Sequence, residues 1–303
     1  MKTFVKILLI LGIVFTLAGG IIFVVAMGAN GWDFSTLSTW NLEEKRFEFN
    51  DGVDSLNSVK ITASTADVKI LYHDEQKITV DGYEIKSTKG ELLRKITAKF
   101  IDGELIVKDE EVVFQLFSFG VEKAEIVVKL PKEVSVDLAV NVSTGDITVG
   151  ENKNECEFKT VEIETSTGEV KVECDINCFR FDVTTSTGDV YLNGKLNANS
   201  LEVEGSTAGL FINDSVIAKE IDIDHSTGDV KCNAFITAEI IEVETATGSV
   251  RLQLVGSQND YTYTYDIGTG KSNIWPLQGG SRQVRVESGT GDVYIFFEIE
   301  PHA

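Results

Sequence analysis

The stretch that decides the fold is residues 181–192, FDVTTSTGDVYL. Its centre, Ser-Thr-Gly-Asp-Val, returns down the chain, and self-similarity at a fixed step marks a repeat architecture. Aligned on the Thr, nine copies stand at Thr65, Thr144, Thr167, Thr187, Thr207, Thr227, Thr247, Thr269 and Thr290. From Thr144 onward the steps are 23, 20, 20, 20, 20, 22 and 21 residues, in the range of solenoids.

The columns around that Thr show what each copy builds. Four residues before it stand Ile61, Val140, Ile163, Val183, Val203, Ile223, Val243, Tyr265 and Val286, and two further back Val59, Leu138, Val161, Phe181, Leu201, Ile221, Ile241, Tyr263 and Val284. Every one is apolar, with mostly Glu, Asp, Lys or Thr between, which is the two-residue alternation of a half-buried strand. A second short strand follows, with the column Ile70, Val149, Val172, Leu192, Ile212, Cys232, Leu252, Ile274 and Ile295. Units of this size cannot bury a face alone. Stacked through parallel ladders about 4.8 Å apart they can, because each buried Val, Leu or Ile contributes about 1.5–3 kcal/mol only when a neighbouring coil covers it. The sequence therefore predicts an all-β solenoid of coils of about 20 residues.

The motif itself reads as a way of folding. Parity carried from the preceding strand points the Thr inward, where its hydroxyl meets turn backbone. Gly145, Gly168, Gly188, Gly228, Gly248, Gly270 and Gly291 supply positive φ or a tight corner. Ala66 and Ala208 replace Gly in the other two copies, so the turn is expected to shift there. The turn acids Asp146, Glu169, Asp189, Asp229 and Asp292 could suggest a cation ladder. Side-by-side charges at that spacing repel by only about 0.9 kcal/mol in water, so solvated acids suffice and no metal is expected. The Thr-x-Thr strings straddle a corner, which argues against a flat ice-binding array. His225 falls in the inward corner just before a motif and reads as a core histidine with its ring nitrogens satisfied, not as a catalyst.

Length, charge and termini bound the rest. The chain has 303 residues, with 27 Lys and Arg against 48 Asp and Glu for a net charge of -21, which disfavours nucleic acid as a partner. Lys2 and Lys6 precede an uncharged run from Ile7 to Met27, long enough at about 1.5 Å per residue to cross a hydrocarbon core of about 30 Å. It is read as a single membrane anchor at 7–27, longer than the apolar core of a cleaved signal peptide, which stays the alternative because the small residues of AMGAN could serve a peptidase. Both lysines lie on its amino side, so residues 1–6 are placed in the cytoplasm and the remainder outside. Trp32 is expected near the outer interface. A spacer covers 28–55 and the solenoid 56–300, with irregular opening coils and a cap at 56–137 and regular repeats with a terminal cap at 138–300. The apolar piece EEVVFQLFSFGVE, residues 110–122, reads as part of the first cap, and YTYTYDIGTGKSNIW with DVYIFFEIE as the second.

The four cysteines, Cys156, Cys174, Cys178 and Cys232, fit neither a disulfide scaffold nor a zinc site. Cys156 lies 13 residues after Ser143 and Cys178 lies 12 after Ser166, so successive coils are expected to bring this pair within disulfide reach. No catalytic residues stand out: only His73, His225 and His302 exist, no acid–base pair is isolated, and no nucleophile elbow, zinc-protease motif or phosphate loop occurs.

The STGDV string on a step of about 20 residues, the lead-in VKITASTADVKILY and the stretch VVKLPKEVSVDLAVNVSTGDITV resemble the bacterial "putative adhesin" family of β-strand repeat, or toast-rack, proteins. The resemblance covers residues 56–300. It implies a right-handed single-stranded β-helix on the cell exterior with adhesive or envelope-associated roles, and it brings no catalytic residues and no cofactor. The reading is a non-enzymatic, membrane-anchored scaffold whose partner is an envelope protein or glycan. An accessory in envelope-stress signalling is the second reading, and a glycan-active enzyme the distant third.

Overall fold

A computed structural model of the chain describes residue 25 and residues 40–87, 90–111, 124–132 and 134–298. The cytoplasmic tail at 1–6, the anchor at 7–27 apart from Val25, Trp32, most of the apolar piece at 110–122 and His302 lie outside the described residues. Among the described residues, no helix is long and apolar enough to cross a membrane.

The repeat folds as parallel rungs. In the unit opened by Phe181, a long strand at Arg180–Thr187 is followed by short ones at Val190–Leu192 and Leu196–Asn197. Phe181 lies between Val161 and Leu201, Val190 between Val170 and Leu210, and Leu196 between Ile176 and Val216. Each residue thus meets its own counterparts on the neighbouring rungs. Three parallel ladders result, and their apolar columns fill a single core that includes Cys232, which takes the place of an aliphatic side chain. Of the three columns read from sequence, only Tyr265, on the outermost rung, is not fully buried.

The long ladder holds ten parallel strands. Their spatial order is Glu104–Glu111, Ser58–His73, Val136–Thr144, Glu155–Thr167, Arg180–Thr187, Ser200–Thr207, Glu220–Thr227, Ile240–Thr247, Arg282–Thr290 and Tyr261–Thr269. At both ends this departs from chain order. The first motif copy, Ser58–His73, is overlaid by Glu104–Glu111 and Ala124–Pro131, which come later in sequence. The last copy, Arg282–Thr290, slides between Ile240–Thr247 and Tyr261–Thr269, so Thr247 pairs with Thr290 and Thr290 with Thr269.

The stretch without the motif supplies antiparallel closure. Leu92–Ile101 runs antiparallel to Glu104–Glu111, and Ile78–Ser87 runs antiparallel to both Ala124–Pro131 and Trp40–Phe49. Residues 40–55, read from sequence as the end of a spacer, are therefore part of the fold: one strand and a 3₁₀ turn at Val53–Ser55 that buries Val53. Between Leu92–Ile101 and Glu104–Glu111, buried Arg94 meets Asp109 at 3.0 Å and donates to the Thr65 carbonyl at 2.6 Å. At the opposite end Tyr263 exchanges backbone hydrogen bonds of 2.9 and 3.1 Å with Leu277, in a loop that leaves Trp275 82% exposed.

Candidate functional site

The motif Thr points outward, not inward. On the central rung Thr185 is the inward residue at 2% exposure, while Ser186 and Thr187 are both exposed. The ladder pairs Thr185 with Thr165 and Thr187 with Thr167 but skips Ser186. One residue is spent rounding the corner without a partner, so the alternation slips and two consecutive side chains face solvent. Thr65, Thr144, Thr167, Thr187, Thr207, Thr227, Thr247, Thr269 and Thr290 all lie exposed in one file along this corner. The Gly that follows answers a close approach: a Cβ on Gly188, whose φ is 135°, would stand 2.0 Å from the Gly168 carbonyl oxygen. Ala66 and Ala208 have no positive φ, and neither does Gly248, yet the turn does not shift as expected: Thr65 stays in register with Thr144 and Thr207 with Thr227, and the Ala208 N–H still reaches the Thr227 carbonyl at 2.9 Å.

The turn acids do more than sit in water. Asp146 Oδ1 accepts the Glu169 N–H at 3.0 Å, Asp189 Oδ1 the Gly209 N–H at 2.8 Å, and Asp229 Oδ1 the Ser249 N–H at 2.8 Å. Asp292 Oδ1 accepts the Lys271 N–H at 2.9 Å on the outermost rung. Each carboxylate caps a backbone donor on the rung beyond its own. The Lys231 ammonium, 2.8 Å away, together with the Ser249 N–H holds the Asp229 carboxyl below its ordinary range. Among the described residues, no group of three or more His, Cys, Asp or Glu is placed to hold a metal ion.

Two further files escaped the sequence reading. Asn233 donates to Asn213, Asn213 to Asn193 and Asn193 to Glu173, each at 2.8 Å. On the neighbouring short-strand wall the rings of Tyr191 and Phe211 stack 5.0 Å apart, with Lys171 over the outer face of one and Lys231 over the other. Both ring faces are thereby occupied, and only edges meet solvent. The signal for each file was the recurrence of Asn and of aromatic or basic residues at 20-residue steps, outside the columns aligned on the motif.

The outer face of the long ladder is strongly acidic. Glu202, Glu204, Asp222, Asp224, Glu242, Glu244 and Glu287 line one shallow depression with Arg285 as its cation. Partial burial and the neighbouring carboxylates of Glu242 and Glu202 raise the Asp222 carboxyl above its ordinary range. Burial raises Asp182 as well, against the pull of Arg180.

The register does not bring Cys156 to Cys178. Cys156 pairs with Ile176, while Cys178 follows Asn177, the partner of Glu157, and all four thiols are free. The 23-residue step explains the miscount. Its three extra residues form a turn at 151–154, where Asn152 and Lys153 adopt positive φ, just before Cys156. Burial pushes the Cys178 thiol up to about 12. His225 occupies the inward corner as expected, 1% exposed, but its ring is not satisfied there: neither nitrogen has a hydrogen-bond partner. It packs against Gly205 of the preceding rung, where a Cβ would stand 3.0 Å from its Cδ2. Burial lowers its pKa, against the pull of Asp224 and Asp189.

Comparison with known proteins gives the same architecture. A "putative lipid binding protein" of Parabacteroides distasonis aligns at 12% identity and a TM-score of 0.52, over 84% of this chain and 96% of its own. A "putative adhesin" of Bacteroides fragilis aligns at 15% identity and a TM-score of 0.49, over 84% of this chain and 97% of its own. Another from Parabacteroides merdae gives 15% identity and a TM-score of 0.43, over 84% and 96%. No curated protein matches the chain. The Toastrack DUF4097 family model matches residues 56–295, which spans the stacked rungs but not the closing strand Trp40–Phe49, and the chain belongs to that family.

Proposed function

We propose that this protein is a non-enzymatic, membrane-anchored scaffold of the bacterial envelope that presents an adhesin-like surface. Residues 7–27 hold it in the bilayer with residues 1–6 in the cytoplasm, and the domain at 56–300 stands outside as a right-handed single-stranded β-helix. Its partner is an envelope protein or a glycan; nucleic acid, repelled by the same net charge of -21, is not.

The observation that carries this reading is the acidic outer face of the long ladder, where Glu204, Asp224 and Glu244 stand side by side on successive rungs. A wall of parallel strands is stiff, and its outward files repeat at the rung spacing of about 4.8 Å. That geometry suits a broad contact with a long or repetitive partner. Glycoside cleavage instead needs two carboxyl groups flanking one bond, whereas these acids stand in rows on an open surface.

The test compares cells lacking the protein with cells carrying it or a Glu204→Lys, Asp224→Lys, Glu244→Lys variant. Surface attachment is expected to fall on deletion and not to return with the variant, while circular dichroism shows the variant folded. Unchanged attachment with altered envelope-stress promoter output would favour a signalling accessory. Turnover of cell-wall glycan by the purified domain would overturn the non-enzymatic reading.

A further inference from the structure

The core is mostly aliphatic, and two of its cysteines lie on adjacent rungs. Cys156 fills the position taken on later rungs by Ile176, Leu196, Val216 and Ile236. Cys174 lies on the next rung, at the corner just before Asp175–Asn177 and two residues ahead of Ile176, the partner of Cys156, and its thiol meets that of Cys156. They are 1% and 0% exposed. Space for Cys174 is made by the turn of the preceding rung: a Cβ on Gly150, whose φ is 74°, would stand 2.2 Å from Cys174 Cβ and 2.3 Å from its Sγ. An aliphatic side chain fills the Cys156 position on later rungs, whereas that of Cys174 is taken by Gly194, Asp214 and Ala234. What two touching thiols add is the capacity to form a bond between rungs.

We propose that Cys156 and Cys174 are a disulfide site, closed when the domain is exported, that staples one rung to the next. The inference rests on the outward placement of the domain proposed above, since disulfides form and persist in oxidising compartments. Two S–H bonds break and one S–S bond forms. The two electrons and two protons pass to the disulfide of an external carrier, which leaves as two thiols if it is a small-molecule disulfide or as a dithiol if it is an exported oxidoreductase. The exchange must precede closure of the core. In the folded chain contact with Cys156 and burial hold the Cys174 thiol far above its ordinary range, so the thiolate that would attack a carrier is absent. Cys178, half-buried and outside this contact, takes no part.

The experiment uses the full chain in bacterial membranes. Protease added to intact cells first establishes on which side the domain lies. The chain is then denatured with an alkylating reagent present and mapped by mass spectrometry. A Cys156–Cys174 linked peptide, with Cys178 and Cys232 alkylated, is the expected result. Reductant should lower the unfolding midpoint of the wild type and of Cys178→Ser but not that of Cys174→Ala, a residue matched by Ala234 in the same column three rungs on. An external domain with both thiols alkylated, or with Cys156 joined to Cys178, overturns the inference. A protected, internal domain would defeat the outward placement instead. In that case refolding of the purified chain in a glutathione redox buffer decides: the same linked peptide supports the site, and four free thiols reject it.

Discussion

The middle of the molecule and its two ends solve the same problem differently. Between Val136 and Thr247 every rung lies on its predecessor in sequence, and from Arg180 onward one 20-residue register serves all three ladders. At each end the outermost rung belongs to a segment that is not the nearest in sequence: Glu104–Glu111 overlies the first motif copy and Tyr261–Thr269 the last. An open parallel edge invites pairing with another chain, and the two ends suppress it by unlike means. The first end turns antiparallel and buries an ion pair. The second folds a loop back, bridging Leu277 to Tyr263 and Ser272 to Val293. Repetition is thus a property of the interior, and closure a separate construction at each face.

The contrast breaks most visibly where a rung loses its filling. Phe181→Ala, in the middle of the stack, is expected to destabilise the domain by about 3–5 kcal/mol. Phe100→Ala should cost roughly half as much, because Phe100 is only partly covered, by Phe49 at 6.1 Å. Urea titrations of the two variants check the difference, and equal losses would show that the end shares the cooperativity of the middle.

A second measurement sharpens the same comparison through pH. Buried His225 has its pKa lowered in the folded chain, so the unfolded chain takes up the proton first, near pH 6.5. The stability that depends on a neutral ring is present above that pH and is lost as pH falls below it. Unfolding midpoints of the wild type should drop between pH 7.5 and pH 5 more steeply than those of His225→Thr, which restores the residue found at Thr185 and Thr245. Parallel slopes would remove His225 as the cause.

Smaller effects concern the turn. Asp189→Ala leaves the Gly209 N–H without its acceptor and should cost about 1 kcal/mol. Hydrogen exchange should quicken at Gly209 while the backbone of the rung before stays protected. Smallest of all is Thr187→Ala, expected to stay within about 0.5 kcal/mol because the side chain faces water. A loss well above that would restore the inward Thr.

Stacking, coil length and nearly every core position were legible in the sequence because they depend only on period and alternation. What depended on a single unpaired residue was not. Ser186 at the corner turns Thr187 outward, and the turn at 151–154 moves Cys156 by three positions against its neighbours. The swapped order at the ends was hidden for another reason: the motif of Thr269 and Thr290 fits either rung equally well, and only contacts made outside the motif choose between them. The acidic face was visible as composition, whereas the carboxylate-to-next-rung bonds needed coordinates. The Asn file needed only the same column counting applied to the turns.

Those carboxylate bonds give the stack a direction. Asp146, Asp189 and Asp229 each wait at the finished rim of a coil for an amide that the chain has still to deliver. A polypeptide that emerges amino end first can therefore wind itself up like thread onto a spool, each lap guided by the lap before. The winding must pause near its close, since Tyr261–Thr269 arrives ahead of Arg282–Thr290, the strand it will rest on. The final lap can set only when both are present, which makes the far rim the slowest part of the molecule to mature.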